Sequence, residues 1–328
     1  PSYYLEQTSS EKTARFKAEL VNGKLLADMT GGFGIDTYFF SEKIPDTWYI
    51  EQDPAIYEIA SSNLHRLNPR ITTVKGNSLE VLQQLPEKAD WLYLDPIRRT
   101  KERRLSRIEE YSPNLKQIRE QLFAYGRNIM IKLSPMSDIS EAIRIFGDKV
   151  SHVYVLAVDN ECKELLITAS ENDQAETIVE SINWIKGQEE RFVSSLHNDQ
   201  HVPVSDPLNY LYEPNAAIFK AQQYDIQAAL HKLKKLHANT HVYTSAELDA
   251  SYAGKIYEVK DIFNFDTKEF RSGNDISSFN IKTRNFPVDA PAVAKKLGIR
   301  EGGSEFLFCV RTKEGRPKII RCSRILVN

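Results

Sequence analysis

The chain has 328 residues, 41% hydrophobic and 27% charged, which is the composition of a folded protein with room for two or three domains and excludes a disordered or membrane-embedded one. Lys and Arg number 43 against 45 Asp and Glu, a formal charge of −2 that argues against a wholesale polyanion binder while leaving room for local basic patches. No apolar run approaches the roughly 20 residues that cross a bilayer, "PSYYLEQTSSEK" lacks the order of a signal peptide, and Cys162, Cys309 and Cys322 lack zinc-site spacing, so a cytoplasmic protein without a structural metal is expected. The chain opens on Pro1 rather than Met, and further sequence upstream is expected.

In chain order, strand-like runs fall at Leu25–Thr30, Thr47–Asp53, Ile71–Asn77, Ala89–Asp95, Asn128–Ser134, Val150–Val158 and Glu164–Ala169. Helical segments lie between the first six, around 35–43, 54–66, 78–84, 110–125 and 137–146, whereas only the polar turn "DNECK" separates the last two strands. The expectation is an α/β, Rossmann-like sheet of seven strands whose last strand is reversed and lies at its edge. Ligands of such sheets sit outside the carboxyl ends of the strands.

Those ends carry chemistry. In "LLADMTGGFGIDTYFF", Asp28 closes the first strand and Gly31, Gly32 and Gly34 make a turn that lets backbone approach a ligand. About 20 residues on, "YIEQD" ends the second strand in Glu51 and Asp53, the distance at which a carboxylate meets a ribose diol, and "KGNS" ends the third with Asn77 and Ser78. The turn reads D-x-T-G-G-x-G rather than G-x-G-x-x-G, which separates it from dinucleotide binders.

The series "DMTGGFG", "IEQD", "GNS" and "LDPIRR" resembles the class I S-adenosylmethionine-dependent methyltransferases over roughly residues 5 to 170. The resemblance implies S-adenosylmethionine as cofactor, with Asp28 and the glycines flanking its methionine part, Glu51 or Asp53 its ribose, Asn77 and Ser78 its adenine, and Asp95 nearby. Thr30 stands where many members carry the first glycine, as in several nucleic-acid-directed branches.

After the fourth strand, "LYLDPIRRTKERRLSR" places Asp95-Pro96 at the strand end and then a basic run. Asp95-Pro96 resembles the D-P-P-aromatic motif of enzymes that methylate exocyclic base amines, with Ile97 in place of the second proline and Arg98 in place of the aromatic ring. Arg98 and Arg99 can stack on a base or grip phosphate, and the alternative is a solvated charge run. The order Lys17, Asp95, Lys132, Glu164 resembles the K-D-K-E tetrad of ribose 2′-O-methyltransferases, in which a lysine of depressed pKa takes the hydroxyl proton. The alternative is an ordinary Lys132–Asp95 ion pair with Lys17 a solvated helix residue and Glu164 a strand-end charge. Neither the Asp95 nor the Lys132 segment holds a cysteine, which argues against attack at pyrimidine carbon 5, and three scattered cysteines supply no iron–sulfur cluster. Transfer to nitrogen or oxygen remains.

Composition shifts near residue 172, and the expected division is 1–172, 173–250 and 251–328. The middle part reads as a small α+β module of a strand, a helix and the strand "HVYTS". His237 and His241, four apart in an expected loop, lack two further metal ligands. The last part reads as strands, the helix "DAPAVAKKLGI", the turn "REGGSE" and a hairpin in which Arg311, Lys313, Arg316, Lys318, Arg321 and Arg324 alternate with apolar residues, several of them on one face, with Arg316, Lys318 and Arg321 as candidate substrate-binding residues. These parts resemble the ferredoxin-like and THUMP-like modules attached to some bacterial methyltransferases. THUMP domains proper bind RNA, so the resemblance implies methylation of tRNA or rRNA. The alternatives are a protein or small-molecule methyltransferase, and a non-catalytic RNA-binding protein that retains the cofactor fold.

Overall fold

The computed structural model describes residues 8–96, 108–174, 176–196, 200–273 and 276–326. The chain forms two compact units, Pro1–Leu156 with Cys162–Glu180 and Ala157–Glu161 with Ser181–Asn328. In the first, helix α1 (Glu11–Leu20) is capped by Ser10 and leads to β1 (Leu25–Asp28), α2 (Ile35–Ser41), β2 (Asp46–Glu51), α3 (Pro54–Leu67), β3 (Thr72–Lys75), α4 (Ser78–Val81) and β4 (Ala89–Leu94). Then come α5 (Leu115–Tyr125), β5 (Gly126–Leu133), α6 (Ile139–Phe146), β6 (Val150–Val158) and β7 (Glu161–Ser170).

β1 is buried along its whole length and pairs in parallel with β2 and β4, as a central strand covered on both faces must. Ala14 and Ala18 of α1 pack with Leu26, Phe40, Tyr93 and Met130, so the leading helix closes the core over β1, β4 and β5. Asp159 and Asn160, both at positive φ, turn the chain from β6 into β7.

The sheet order is β3-β2-β1-β4-β5-β7-β6-β8-β9, where β8 is Ile178–Ile185 and β9 is Gln188–Ser195. Two expectations are corrected. The reversed strand β7 lies between β5 and β6 and runs antiparallel to β5, with Lys132 opposite Leu166, so it is internal and not at an edge. The sheet also holds nine strands instead of seven, because "SINWIKGQEERFVSSL" folds as two strands about the positive-φ pair Lys186-Gly187.

The second unit continues with β10 (Tyr210–Pro214), α7 (Ala216–Lys220), α8 (Tyr224–Leu230), β11 (Lys234–His237), β12 (Thr240–Ser245), β13 (Gly254–Asn264), α9 (Thr267–Ser272), β14 (Ser278–Arg284), α10 (Ala290–Leu297), β15 (Arg300–Arg311) and β16 (Pro317–Ile325). Strands β10 to β16 form one sheet, ordered β11-β12-β10-β13-β16-β15-β14, so the two small modules share hydrogen bonds between β10 and β13. "REGGSE" is the start of β15 rather than a turn. Pairing with β14 steps from Phe279–Glu301 to Asn280–Phe306, and Gly302 and Gly303 take the positive φ that this bulge requires. One face of the sheet packs Phe279, Leu307 and Ile319 with Val293 and Leu297 of α10, and the other packs Tyr257, Phe308 and Ile320 with Leu236 and Val242. His237 and His241 lie on β11 and β12, not in a loop. Among the described residues no His/Cys/Asp/Glu group is arranged to hold a metal, and no helix is long and apolar enough to cross a membrane.

Candidate functional site

The carboxyl ends of β1 to β5 surround a cavity of about 670 Å³. Its floor is the glycine turn. Gly31 N–H donates to the Ile50 carbonyl at 2.9 Å, Gly34 N–H to the Gly31 carbonyl at 2.8 Å, and Gly32 N–H to Glu51 Oε2 at 2.9 Å. Tyr49 Oη donates to the Gly32 carbonyl at 2.7 Å, and its ring lies 2.2 Å from where a Cβ on Gly31 would stand. Thr30, the departure from the glycine-first pattern, has its own use: its Oγ1 accepts from the Asp95 N–H at 2.6 Å and ties the turn to the end of β4.

Glu51 and Asp53 both line the cavity but differ in engagement. Asp53 Oδ1 accepts from the N–H groups of Ala55 and Ile56 and so caps α3, whereas Glu51 accepts from Gly32 and from the Asp53 N–H at 2.7 Å. Asn77 likewise caps α4 through Leu79 N–H at 3.0 Å, and with Gly76, Ser78 and Leu79 forms the far wall. A glycine turn lining the cavity, an acid at the end of β2 and a polar corner after β3 fit S-adenosylmethionine.

Asp28 Oδ1 accepts from Thr30 N–H at 3.1 Å and Oδ2 from Thr37 Oγ1 at 2.5 Å. Burial, with a further push from Asp36 and Asp95, drives its pKa up to about 7 against those hydrogen bonds. The folded state therefore holds this proton more tightly than the unfolded chain, and stability falls as pH rises from about 4 to about 7, by up to about 4 kcal/mol. Asp28→Asn removes that loss. Its stability relative to wild type is expected to increase between pH 4.5 and pH 8 in denaturant titrations, and a difference constant with pH contradicts the assignment.

Beside the turn, Lys132 Nζ donates to Asp95 Oδ2 at 2.6 Å, and both residues line the cavity with Pro96 and Tyr93. Burial alone would lower the Lys132 pKa, but the carboxylates of Asp95, Asp36 and Glu164 outweigh it and hold the pKa above that of an ordinary lysine. This corrects the depressed lysine pKa that the tetrad resemblance implies. Lys17 and Glu164 do pair, at 3.0 Å, but both are buried and neither lines the cavity; Lys17 is not the solvated residue of the alternative reading.

Asp36 links the two pairs and was not singled out from the sequence. Its Oδ1 lies 3.0 Å from Lys17 Nζ, and its Oδ2 accepts from Ser9 Oγ at 2.8 Å and Tyr93 Oη at 2.7 Å. Burial raises its pKa, yet Lys17, Lys132 and these hydroxyls bring it below the usual carboxylate value. The available signal was an acid in the first turn of the helix that follows the glycine turn, within reach of a lysine in the amphipathic helix ahead of it.

Arg98 and Arg99 lie outside the described residues. The C-terminal basic residues divide between the two faces: strand pairing puts Arg311 on the side of Arg321, and alternation puts Arg324 on the side of Lys318. On β16, Lys318 points to the side of Ile320 and Cys322, and Arg321 to the side of Ile319. Arg321 is held by Glu305 at 3.0 Å and Asp261 at 3.2 Å, Lys318 donates to Asn264 at 2.7 Å, and exposed Arg316 lies 3.2 Å from Glu314.

Family models match two stretches of the second unit, a ferredoxin-like domain at residues 210–252 and a THUMP domain-like region at 254–324. No curated protein matches the chain significantly. Among solved structures, a proposed methyltransferase from Porphyromonas gingivalis W83 is similar with a TM-score of 0.87 and 25% identity, over 99% of this chain and 83% of that one. TrmK of M. capricolum, in complex with S-adenosylhomocysteine, aligns with a TM-score of 0.40 and 15% identity over 51% of this chain and 70% of its own. An O-methyltransferase from Bacillus cereus in complex with the same product gives 0.39 and 15% over 50% and 83%. Strand order, internal reversed strand and full-length similarity agree: the first unit has the fold of the class I S-adenosylmethionine-dependent methyltransferases, and the second carries a ferredoxin-like and a THUMP-like domain.

Proposed function

We propose that this protein methylates a base nitrogen of structured RNA, tRNA or rRNA, with S-adenosylmethionine as donor. The observation that carries the reading is the Asp95-Pro96 corner, open to the cavity and held by a Lys132 that stays protonated. The cofactor supplies a methyl carbon already activated by its sulfonium, so the protein's task is alignment and one proton. An exocyclic amine seated at this corner would donate a hydrogen bond to Asp95, which turns the nitrogen lone pair toward the methyl carbon; as the N–C bond forms the methyl–sulfur bond breaks, its electron pair staying on sulfur, and the cationic nitrogen gives its extra proton to Asp95, which passes it to water. Lys132 holds the Asp95 carboxylate in place. A ribose hydroxyl needs a stronger base than an amine does, and an ammonium stabilised by three carboxylates is a poor one.

RNA as substrate class rests on the THUMP-like domain at residues 254–324. The test is incubation of the purified protein with methyl-labelled cofactor and total RNA, followed by digestion to nucleosides and mass spectrometry. The expected product carries the label on a base. A ribose-methylated nucleoside overturns the choice of nitrogen, and label confined to protein or small molecules overturns RNA.

A further inference from the structure

Among the described residues, the cavity is lined by five acids, Asp28, Asp36, Glu51, Asp53 and Asp95, against Lys132 as its lysine. Four of the acids have structural engagements already described: Asp28 accepts from Thr30 and Thr37, Asp53 caps a helix, Glu51 holds the glycine turn, and Asp95 pairs with Lys132. Asp36 differs. It belongs to a network, buried except at half-buried Asp95, in which two ammoniums, Lys17 and Lys132, face three carboxylates, Asp36, Glu164 and Asp95. Lys17 is shared between Asp36 and Glu164, and its 3.0 Å approach to Asp36 Oδ1 lacks hydrogen-bond geometry, leaving that oxygen without a directed donor. Among the described residues the network therefore keeps one negative charge in excess beside the cavity wall.

That excess discriminates between two ligands of nearly one shape. S-adenosylmethionine carries a sulfonium, and the thioether left after transfer is neutral at sulfur. The remaining charges, an ammonium and a carboxylate, are common to both. We propose that Asp36 makes the cavity selective for the cationic donor over its neutral product, so that loss of the methyl group weakens binding at this wall and favours product release. The proposal rests on the cofactor reading above. Placement supports it: Asp36 shares hydrogen bonds with Tyr93 and Ser9, which line the cavity beside Asp95 and Lys132, whereas Glu51 and the Gly76–Leu79 corner lie at the β2 and β3 ends. One unit charge about 6 to 12 Å from a cation, at an effective dielectric of about 20, changes affinity by about 10- to 100-fold.

The test is calorimetric binding of S-adenosylmethionine and S-adenosylhomocysteine to wild type, Asp36→Asn and Asp36→Glu, with no turnover required. The ratio of the two dissociation constants is expected to shift at least about 10-fold against the cationic ligand in Asp36→Asn and to return toward wild type in Asp36→Glu, while affinity for the thioether changes less than about 3-fold. Asp36→Asn leaves buried Lys17 paired with Glu164 at 3.0 Å, and denaturant titration of each variant establishes that it is folded. An unchanged ratio in a folded variant, or equal weakening of both ligands, overturns the inference and leaves the cofactor reading intact. Wild type that binds neither ligand overturns both.

Discussion

Asp95→Ala is expected to lower the rate of methyl transfer at saturating S-adenosylmethionine by about 10²- to 10⁴-fold with affinity for S-adenosylhomocysteine nearly unchanged. The cofactor cradle is built from the glycine turn, Glu51 and the Gly76–Leu79 corner, and among the described residues none of these donates a hydrogen bond to the Asp95 side chain. The backbone N–H of Asp95, bonded to Thr30 Oγ1, survives the substitution. What disappears is the acceptor that orients the amine, so the loss belongs in kcat. Single-turnover rates beside calorimetric affinities separate the two effects.

Lys132→Ala is informative by contrast. If Lys132 took a ribose proton, wild-type activity would climb steeply with pH as the ammonium was lost and the alanine variant would lose that climb. With the lysine pKa held up by Asp95, Asp36 and Glu164, the ammonium persists through pH 9, and no such limb is expected. The alanine variant should instead lose stability, since it leaves Asp95 unpaired beside Asp36. A rate that rises about tenfold per pH unit in wild type and not in Lys132→Ala would return the assignment to the ribose oxygen.

The sequence was most legible where one residue answers to one local rule. Apolar runs bounded by turns located every strand of the first unit, and Asp28, Glu51, Asn77 and Asp95 stand where strand ends meet the cavity. Ambiguity between Glu51 and Asp53 could not be resolved at that level, because Asp53 is at once a strand-end acid and a helix cap, and only geometry shows the cap in use. Asp36 was illegible for a different reason: its role depends on Lys17 and Lys132, 19 residues behind and 96 ahead, meeting across three elements. The basic hairpin misled because alternation fixes which residues share a face but not what lies opposite them. Arg321 faces Asp261 across β13 and Glu305 on β15, so its charge is already matched.

The glycine turn gives the second large effect, and it reverses the usual ranking of glycines. Gly32 has φ +53, a conformation that costs a side chain about 1 kcal/mol, yet a Cβ there meets nothing closer than the Thr30 carbonyl at 3.7 Å. Gly31 has no such backbone demand, and a Cβ there would stand 2.2 Å from the Tyr49 ring. That ring is fully buried, and its hydroxyl holds the Gly32 carbonyl, so it cannot yield without releasing the turn. Gly31→Ala is therefore expected to cost about 3 kcal/mol of stability and at least about 100-fold in cofactor affinity, whereas Gly32→Ala costs about 1 kcal/mol. Denaturant titration and calorimetry on both variants decide the order. If Gly31→Ala proves the milder change, the Tyr49 ring moves freely, and the cradle is not held in the way its hydrogen bonds imply.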